Sequence, residues 1–112
     1  MNQLEIAKNI IALYERHGWK LRRVLLQPDL KPNVAQDDDV FTGAVLIDSE
    51  FDALWFARPS HGQREAWELR LISEQAYALF EAFEADEGEE EREDVRRELE
   101  HRMRDHALQS QT

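Results

Sequence analysis

The sequence predicts an α+β domain: an N-terminal helix, an antiparallel meander of three to four strands, and two C-terminal helices. Three observations favour this class. Apolar residues recur at helical spacing near the N-terminus, they alternate or run together in the middle of the chain, and charged residues dominate its end. The chain of 112 residues contains no internal repeat, so we expect one hydrophobic core.

The first helix is predicted over Leu4–His17. Asn2 is a favourable N-cap, and Glu5 stands three residues later, at the spacing of a capping box. The apolar positions between them and His17 fall on one side of the helix. Gly18 suits the left-handed residue that commonly ends a helix. These signals predict an amphipathic helix with defined ends.

Trp19–Leu26 is predicted to form the first strand, although its apolar residues change phase along the segment. A β-bulge near Arg22 and Arg23 restores the alternation. A connection of a dozen residues follows, and it ends in the acidic run Asp37–Asp39. That run lacks the alternating oxygen ligands of a calcium loop. We therefore expect a solvated acidic loop there.

The remaining strands are predicted at Phe41–Asp48, Phe51–Arg58 and Arg64–Ile72. The first two are close enough in sequence to form a hairpin. The third has the cleanest alternation of apolar and charged residues, as expected for a strand with one solvated face. Together with Trp19–Leu26 they predict an antiparallel meander.

Two helices are predicted after the strands, one over Ser73–Ala85 and one after Gly88 to about His106. Only five hydrophobic residues lie in 86–112, whereas the earlier part of the chain holds all ten aromatic residues. The sequence therefore divides into a compact domain over 1–85 and an acidic, Arg/Glu-rich helical appendage over 86–112. In the appendage, several glutamates are followed by an arginine four residues later, and this spacing favours a solvated helix.

Composition excludes several functional classes. The chain has 24 acidic and 14 basic residues and a formal net charge of −10, which disfavours nucleic acid as a partner. It has no cysteine, so disulfides, thiolate metal sites and thiol catalysis are absent, and a reducing cytoplasm suits it. The sequence has no apolar run long enough for a membrane span and no signal-peptide pattern, so we expect no membrane association.

The strongest candidate site is the loop between the last two predicted strands, where four polar residues cluster: Arg58, Ser60, His61 and Arg64. Two guanidinium groups at strand ends suit an anion or a partner peptide. An ordinary turn with charged strand ends explains the same residues and is the favoured interpretation. Ser60 lacks the flanking glycines of a nucleophile elbow, and no acid is identifiable to orient His61, so we assign no catalytic residue.

No metal or cofactor site is predicted. His101 and His106 are five positions apart and face different sides of a helix. Glu98 and His101 form one Glu-x-x-His pair, whereas di-iron bundles need two. The four glycines do not fall at the spacing of a nucleotide-binding loop.

Both faces of the predicted hairpin are apolar, which requires a cover for the second face near Leu46, Leu54 and Phe56. The C-terminal helix, a second subunit and a ligand are the three candidate covers. The appendage offers a narrow apolar stripe, so we favour a homodimer with these three residues as interface candidates.

These observations predict a non-enzymatic adaptor or protein-binding protein whose acidic surface meets a basic protein partner. The alternative is a small-molecule or anion-binding domain, or an enzyme, that uses the Arg58–Arg64 loop and an apolar cavity beside the hairpin. In size, charge and element order the chain resembles type III secretion chaperones and acidic bacterial immunity proteins, which implies binding to another protein.

Overall fold

The computed structural model describes residues 2–30 and 40–109. The predicted acidic loop at Asp37–Asp39 therefore lies outside the described residues. The described part contains two α-helices and five strands, in the order α1 (Gln3–Arg16), β1 (Lys20–Leu26), β2 (Val45–Asp48), β3 (Ala53–Pro59), β4 (Glu65–Leu71), β5 (Ala78–Phe83) and α2 (Glu89–Gln109). A short 3₁₀ turn over His61–Gln63 joins β3 to β4. The α+β class is confirmed.

The five strands form one mixed sheet in the order β2-β1-β3-β4-β5. Strand β2 runs parallel to β1, whereas the other three neighbouring pairs are antiparallel. The prediction of a purely antiparallel sheet of three or four strands is therefore wrong. The chain reaches β2 from β1 through a long connection, which is what a parallel pairing requires.

The predicted hairpin of Phe41–Asp48 and Phe51–Arg58 does not form, because β1 lies between β2 and β3. The sequence of β1 contains the reason. Val24, Leu25 and Leu26 are consecutive and almost completely buried, so this segment is covered on both faces and paired on both edges. A continuous apolar run is typical of such a central strand.

The predicted bulge in β1 is confirmed. The register between β1 and β3 shifts between Leu21 and Arg23, which leaves Arg22 as the extra residue. Leu21 and Val24 consequently pack on one face of the sheet, while Arg23 and Leu25 face the other.

Helix α1 is confirmed with nearly the predicted bounds. The Asn2 side chain accepts a hydrogen bond from the Glu5 backbone N–H at 2.8 Å, as an N-cap does. Gly18 follows the helix with φ of 84°. The buried side of α1 packs over Leu54 and Phe56 of β3, and Tyr14 stacks on Phe56 with ring centroids 4.2 Å apart.

The predicted helix over Ser73–Ala85 is wrong, and so is the prediction of two C-terminal helices. The segment instead forms the edge strand β5, which pairs with β4 from Glu65↔Phe83 to Arg70↔Ala78. Leu79 and Phe83 are four residues apart, so the same spacing places both on one side of a helix or on one face of a strand. Pairing with β4 selects the strand, and it leaves Phe80 55% exposed on the opposite face.

Helix α2 covers the sheet face opposite α1. Its apolar side chains Leu99, Met103 and Ala107 are buried against Trp55 and other β-strand residues. Both apolar faces are therefore covered within the chain: α1 covers the face of Leu54 and Phe56, for which the sequence required a cover, and α2 covers the opposite face around Trp55. The division of the chain into a compact domain over 1–85 and an appendage stays a prediction.

Candidate functional site

The predicted site loop between β3 and β4 is a tight turn. The Ser60 N–H donates to the Arg64 carbonyl at 2.8 Å, and both Gly62 and Gln63 have positive φ near 65°. Ser60 and His61 are exposed at this turn. The sequence placed these residues correctly on a turn between two antiparallel strands.

The two arginines of that loop do not converge on one point. Arg58 lies over the Trp19 ring at 4.4 Å and donates to the His17 carbonyl at 2.8 Å, at the end of α1. The Arg64 Nε instead pairs with Glu84 Oε1 at 2.9 Å, beyond the end of β5. The two guanidinium groups are thus engaged at separate places, and the loop does not form the anion fork that its sequence suggested.

The three interface candidates have different surroundings. Leu54 and Phe56 are completely buried beneath α1, whereas Leu46 on β2 is 40% exposed. Of the three, Leu46 alone lies at the surface of the described chain. The homodimer stays a prediction. Of the three interface candidates, Leu46 on β2 is the one that is exposed and available for contact with a second copy.

Strand β2 is the most exposed apolar element of the described chain. Val45, Leu46 and Ile47 are 62%, 40% and 36% exposed, and we call these three residues the β2 edge. Because β2 pairs with β1 on one side only, alternate backbone N–H and C=O groups point away from the sheet on the other. The β2 edge therefore offers both apolar side chains and strand-pairing groups.

A second polar feature lies on the α2 side of the sheet, around Trp67. Four guanidinium groups, which we call the arginine cluster, belong to Arg22, Arg23, Arg92 and Arg96. Arg96 lies 4.1 Å above the Trp67 ring centre, and Arg22 and Arg23 each lie 5.6 Å from it. Arg92 lies 5.5 Å from the Phe83 ring. Stacking of guanidinium planes on aromatic rings allows such groups to be buried.

Glutamates of α2 neutralise part of the arginine cluster. Arg23 donates to both carboxylate oxygens of Glu93, each at 2.9 Å. Arg96 is 1% exposed, and its Nη1 donates to Glu89 at 2.8 Å and to Glu93 at 3.0 Å. These bonds hold the pKa of Glu89 and of Glu93 below the ordinary value, and the bond to Glu93 raises the pKa of Arg23.

A cleft of about 570 Å³ opens beside the arginine cluster, between β2 and the first turn of α2. Its lining residues are Arg22, Arg23, Gly43, Val45, Glu65, Trp67, Glu89 and Arg96. The sequence did not predict this site, because the alternation of acidic and basic residues in α2 is typical of a solvated helix face. One signal was available: Arg92 and Arg96 extend the buried stripe of Leu99 and Met103 at helical spacing.

A third polar group is the buried carboxylate of Asp52. It accepts hydrogen bonds from the Gln27 N–H at 2.8 Å, the Gln27 side chain at 3.2 Å and the Gln3 side chain at 3.4 Å. Asp52, which directly precedes β3, thus connects the residue after β1 to the start of α1. This arrangement explains the burial of Asp52 as a structural junction.

The histidines of α2 do not form a metal site. His106 stacks on Tyr77 with ring centroids 3.5 Å apart, while His101 is exposed. Among residues 2–30 and 40–109, no three histidine or acidic side chains come together in a way that could hold a metal ion. Over the same described ranges, no helix has the length and apolar character needed to cross a lipid bilayer.

No protein-family model matches the sequence, and neither a curated protein nor a solved structure matches the chain at a significant level.

Proposed function

We propose that this protein is a non-enzymatic protein-binding module that captures an extended segment of a basic partner protein along the β2 edge. The observation that carries this proposal is the exposure of three consecutive apolar side chains on an edge strand. Soluble proteins usually protect such an edge with charges, a bulge or a covering element. A partner strand that adds to the sheet satisfies the backbone groups and buries the apolar side chains.

The electrostatics favour a basic partner over a second copy. Each chain carries a net charge of −10, so two copies repel each other, whereas a basic segment is attracted. Beyond β2, the Glu50 side chain is 69% exposed and only loosely paired with Arg104, at 3.7 Å. The occupant we expect is therefore a segment with apolar residues in its centre and lysine or arginine beside them.

The positions of the loop residues support a binding role over catalysis. Arg58 is engaged by the His17 carbonyl and Arg64 by Glu84, and no acidic side chain is seen to orient His61 in the described part of the chain. The cysteine-free composition fits action in a reducing compartment such as the cytoplasm.

The test begins with a displayed library of random peptides, from which binders of the whole chain are selected. Their affinities are then measured by fluorescence anisotropy for the wild-type protein, for Leu46→Asp and for the control Leu108→Asp. Leu108 is a fair control because it is 47% exposed, about as much as Leu46, but lies on α2. We expect Leu46→Asp to weaken binding at least about tenfold and Leu108→Asp to leave it unchanged.

Three results contradict the proposal. One is equal binding by the wild type and Leu46→Asp. Another is the selection of peptides with no basic excess, whose affinity does not fall with added salt. The last comes from light scattering: a mass of roughly 26 kDa, twice the 13.2 kDa of the chain, that reverts to the monomer mass in Leu46→Asp assigns the β2 edge to a homodimer.

A further inference from the structure

We propose that the cleft beside the arginine cluster binds a small organic carboxylate, with Arg22 as the residue that recognises its charge. The cleft measures about 570 Å³, which lies within the range of small-ligand sites. It lies on the α2 side of β1, between Val45 and the first turn of α2. Val45 of the β2 edge lines the cleft, but Leu46, whose substitution tests the peptide site, does not, so this inference is tested independently of that proposal.

Arg22 differs from the other three members of the arginine cluster. Arg23 is engaged by Glu93, Arg96 by Glu89 and Glu93, and Arg92 by Glu65. Arg22 is exposed, and within residues 2–30 and 40–109 no carboxylate pairs with it. The bulge in β1 explains its position, because the extra residue turns the Arg22 side chain to the same side as Arg23.

The charges around the cleft fit a monoanion. Three of the four guanidinium groups of the arginine cluster pair with the carboxylates of Glu65, Glu89 and Glu93, and within the described residues Arg22 is the one whose charge has no carboxylate partner. A single carboxylate balances that charge. A phosphate dianion brings a second negative charge close to Glu65 and Glu89, which line the same cleft. Carboxylate is therefore the favoured ligand chemistry.

The walls of the cleft indicate an organic body attached to the carboxylate. Val45 is apolar and 62% exposed at one side, and Gly43 has no side chain to narrow the cleft beside it. The guanidinium groups of Arg22 and Arg23 each lie 5.6 Å from the centre of the Trp67 ring, so a flat ligand in the cleft can stack on a guanidinium group. Benzoate is a suitable probe because it combines one carboxylate with a flat ring.

The experiment titrates the full chain, labelled with ¹⁵N, with benzoate and records the three indole N–H signals. The Trp67 indole donates to Glu65 Oε1 at 2.6 Å, beside the cleft, whereas the Trp55 indole donates to Glu100 at 2.8 Å, away from it. Trp19 packs with α1 on the opposite face of the sheet from the cleft. We expect benzoate at millimolar concentration to shift the Trp67 signal and to leave the other two in place.

Two matched controls identify the contribution of the charge. Benzamide has nearly the same shape as benzoate but no charge, and we expect it to bind the wild type at least about tenfold more weakly, because a charge-assisted bond is lost. Arg22→Gln should weaken benzoate by a similar factor. Arg102→Gln removes the same charge from an exposed position of α2 that does not line the cleft, and should leave the benzoate affinity unchanged.

Several outcomes overturn the proposal: no movement of the Trp67 signal with benzoate, equal binding of benzamide, equal loss in Arg22→Gln and Arg102→Gln, or tighter binding of inorganic phosphate than of benzoate. The benzamide comparison uses the wild type alone, so it remains decisive if Arg22→Gln fails to fold. None of these results depends on a peptide at β2, so a failure here is distinguishable from a failure of the protein-binding proposal.

Discussion

Helices α1 and α2 cover opposite faces of one sheet in different ways. Helix α1 packs with an apolar side of Ile6, Ala7, Ile10 and Ile11, as an amphipathic helix is expected to do. Helix α2 buries Leu99, Met103 and Ala107 from its middle to its C-terminal end, and Val95 is partly buried against the same cluster. In its N-terminal half, the buried position belongs to Arg96, which is stacked on Trp67 and paired with two glutamates.

The difference shows that a count of apolar residues underestimates what a charged helix covers. The long stem of an arginine shields apolar surface, and its guanidinium plane lies flat on an aromatic ring. Trp67 is 4% exposed, and three guanidinium groups lie within 5.6 Å of the centre of its ring. An arginine-rich helix therefore completes a core that its composition alone does not suggest.

Removal of α2 is the most severe test of this comparison. A chain that ends at Ala85 exposes Trp55, Trp67, Leu69 and Phe83, all of which are buried in the whole chain. The loss of so much apolar burial rivals the total stability of a small domain. We expect no cooperative urea transition and no near-ultraviolet dichroism for 1–85. A sigmoidal transition in 1–85 would instead support the division of the chain into a domain and an appendage.

Arg96 is the next test, because it separates stacking from charge. Arg96→Ala leaves space beside Trp67 and Phe83 and deprives Glu89 and Glu93 of a partner, so we expect a loss of about 2–3 kcal/mol in the free energy of unfolding. Arg96→Met keeps most of the volume and should lose less than about 1 kcal/mol.

Arg97 is the matched control for Arg96. It is the next residue on α2, its side chain is 68% exposed, and its one ion pair within the described residues is with Asp94, at 3.2 Å. Arg97→Ala should change the free energy of unfolding by less than about 0.5 kcal/mol in urea titrations. Similar losses in Arg96→Ala and Arg97→Ala would show that α2 does not use arginine as a core residue.

The polar contact of α1 gives a smaller effect. The Tyr14 hydroxyl donates to Glu68, and Tyr14→Phe should reduce the free energy of unfolding by about 1 kcal/mol. Tyr77→Phe, which keeps the ring stacked on His106, is the control and should change it by less than about 0.5 kcal/mol. Equal losses in the two variants would contradict a specific role for the Tyr14 hydroxyl.

Tyr14 also predicts a loss of stability in alkali. Burial, followed by the hydrogen bond to Glu68, raises the pKa of Tyr14 above its ordinary value of 10.0. The neutral phenol is thus favoured in the folded state, and its contribution is complete below pH 10 and declines as the pH rises above that value. The stability gap between wild type and Tyr14→Phe should therefore narrow above pH 10 in urea titrations. A constant gap would contradict this assignment.

The smallest expected effect is at acid pH, on the α2 side. Hydrogen bonds from Arg23 and Arg96 hold the pKa of Glu93 below its ordinary value of 4.5. A carboxyl with a lowered pKa in the folded state stabilises the fold fully above that ordinary value, and the contribution disappears as the pH falls through the lowered pKa. The melting temperature of the wild type should fall more steeply below pH 4.5 than that of Glu93→Gln.

Glu90→Gln is the control for the acid titration, because Glu90 is exposed in the first turn of α2. Its melting curve should follow the wild type at each pH. Coincident slopes for wild type and Glu93→Gln would show that the pairing of Glu93 with the arginines adds nothing to the docking of α2.

The sequence by itself determined the elements whose signals are local. Asn2, Glu5 and Gly18 defined α1, the phase change in Trp19–Leu26 located the bulge, and strict alternation located β4. The charged segment after Gly88 was correctly assigned to a helix. Each of these signals depends on caps, periods or turns within a few residues, so no partner segment is needed to interpret them.

The tertiary structure decided which strands are neighbours. Phe41–Asp48 and Phe51–Arg58 are adjacent in sequence, yet β1 separates them, because β1 buries three consecutive apolar residues only when both of its edges are paired. The segment around Leu79 and Phe83 fits a helix or a strand equally well, and β4 supplied the pairing that made it β5.

The tertiary structure also decided the positions of the charges. The sequence grouped Arg58 with Arg64 because they are close in the chain, whereas the fold directs them to His17 and Glu84. The sequence predicted no partner for Arg22 and Arg23. The fold places them around the Trp67 ring together with Arg96, which lies more than 70 residues later in the chain. An ion pair or a stacked guanidinium depends on distance in space, which local patterns do not specify until strand order and helix packing are known.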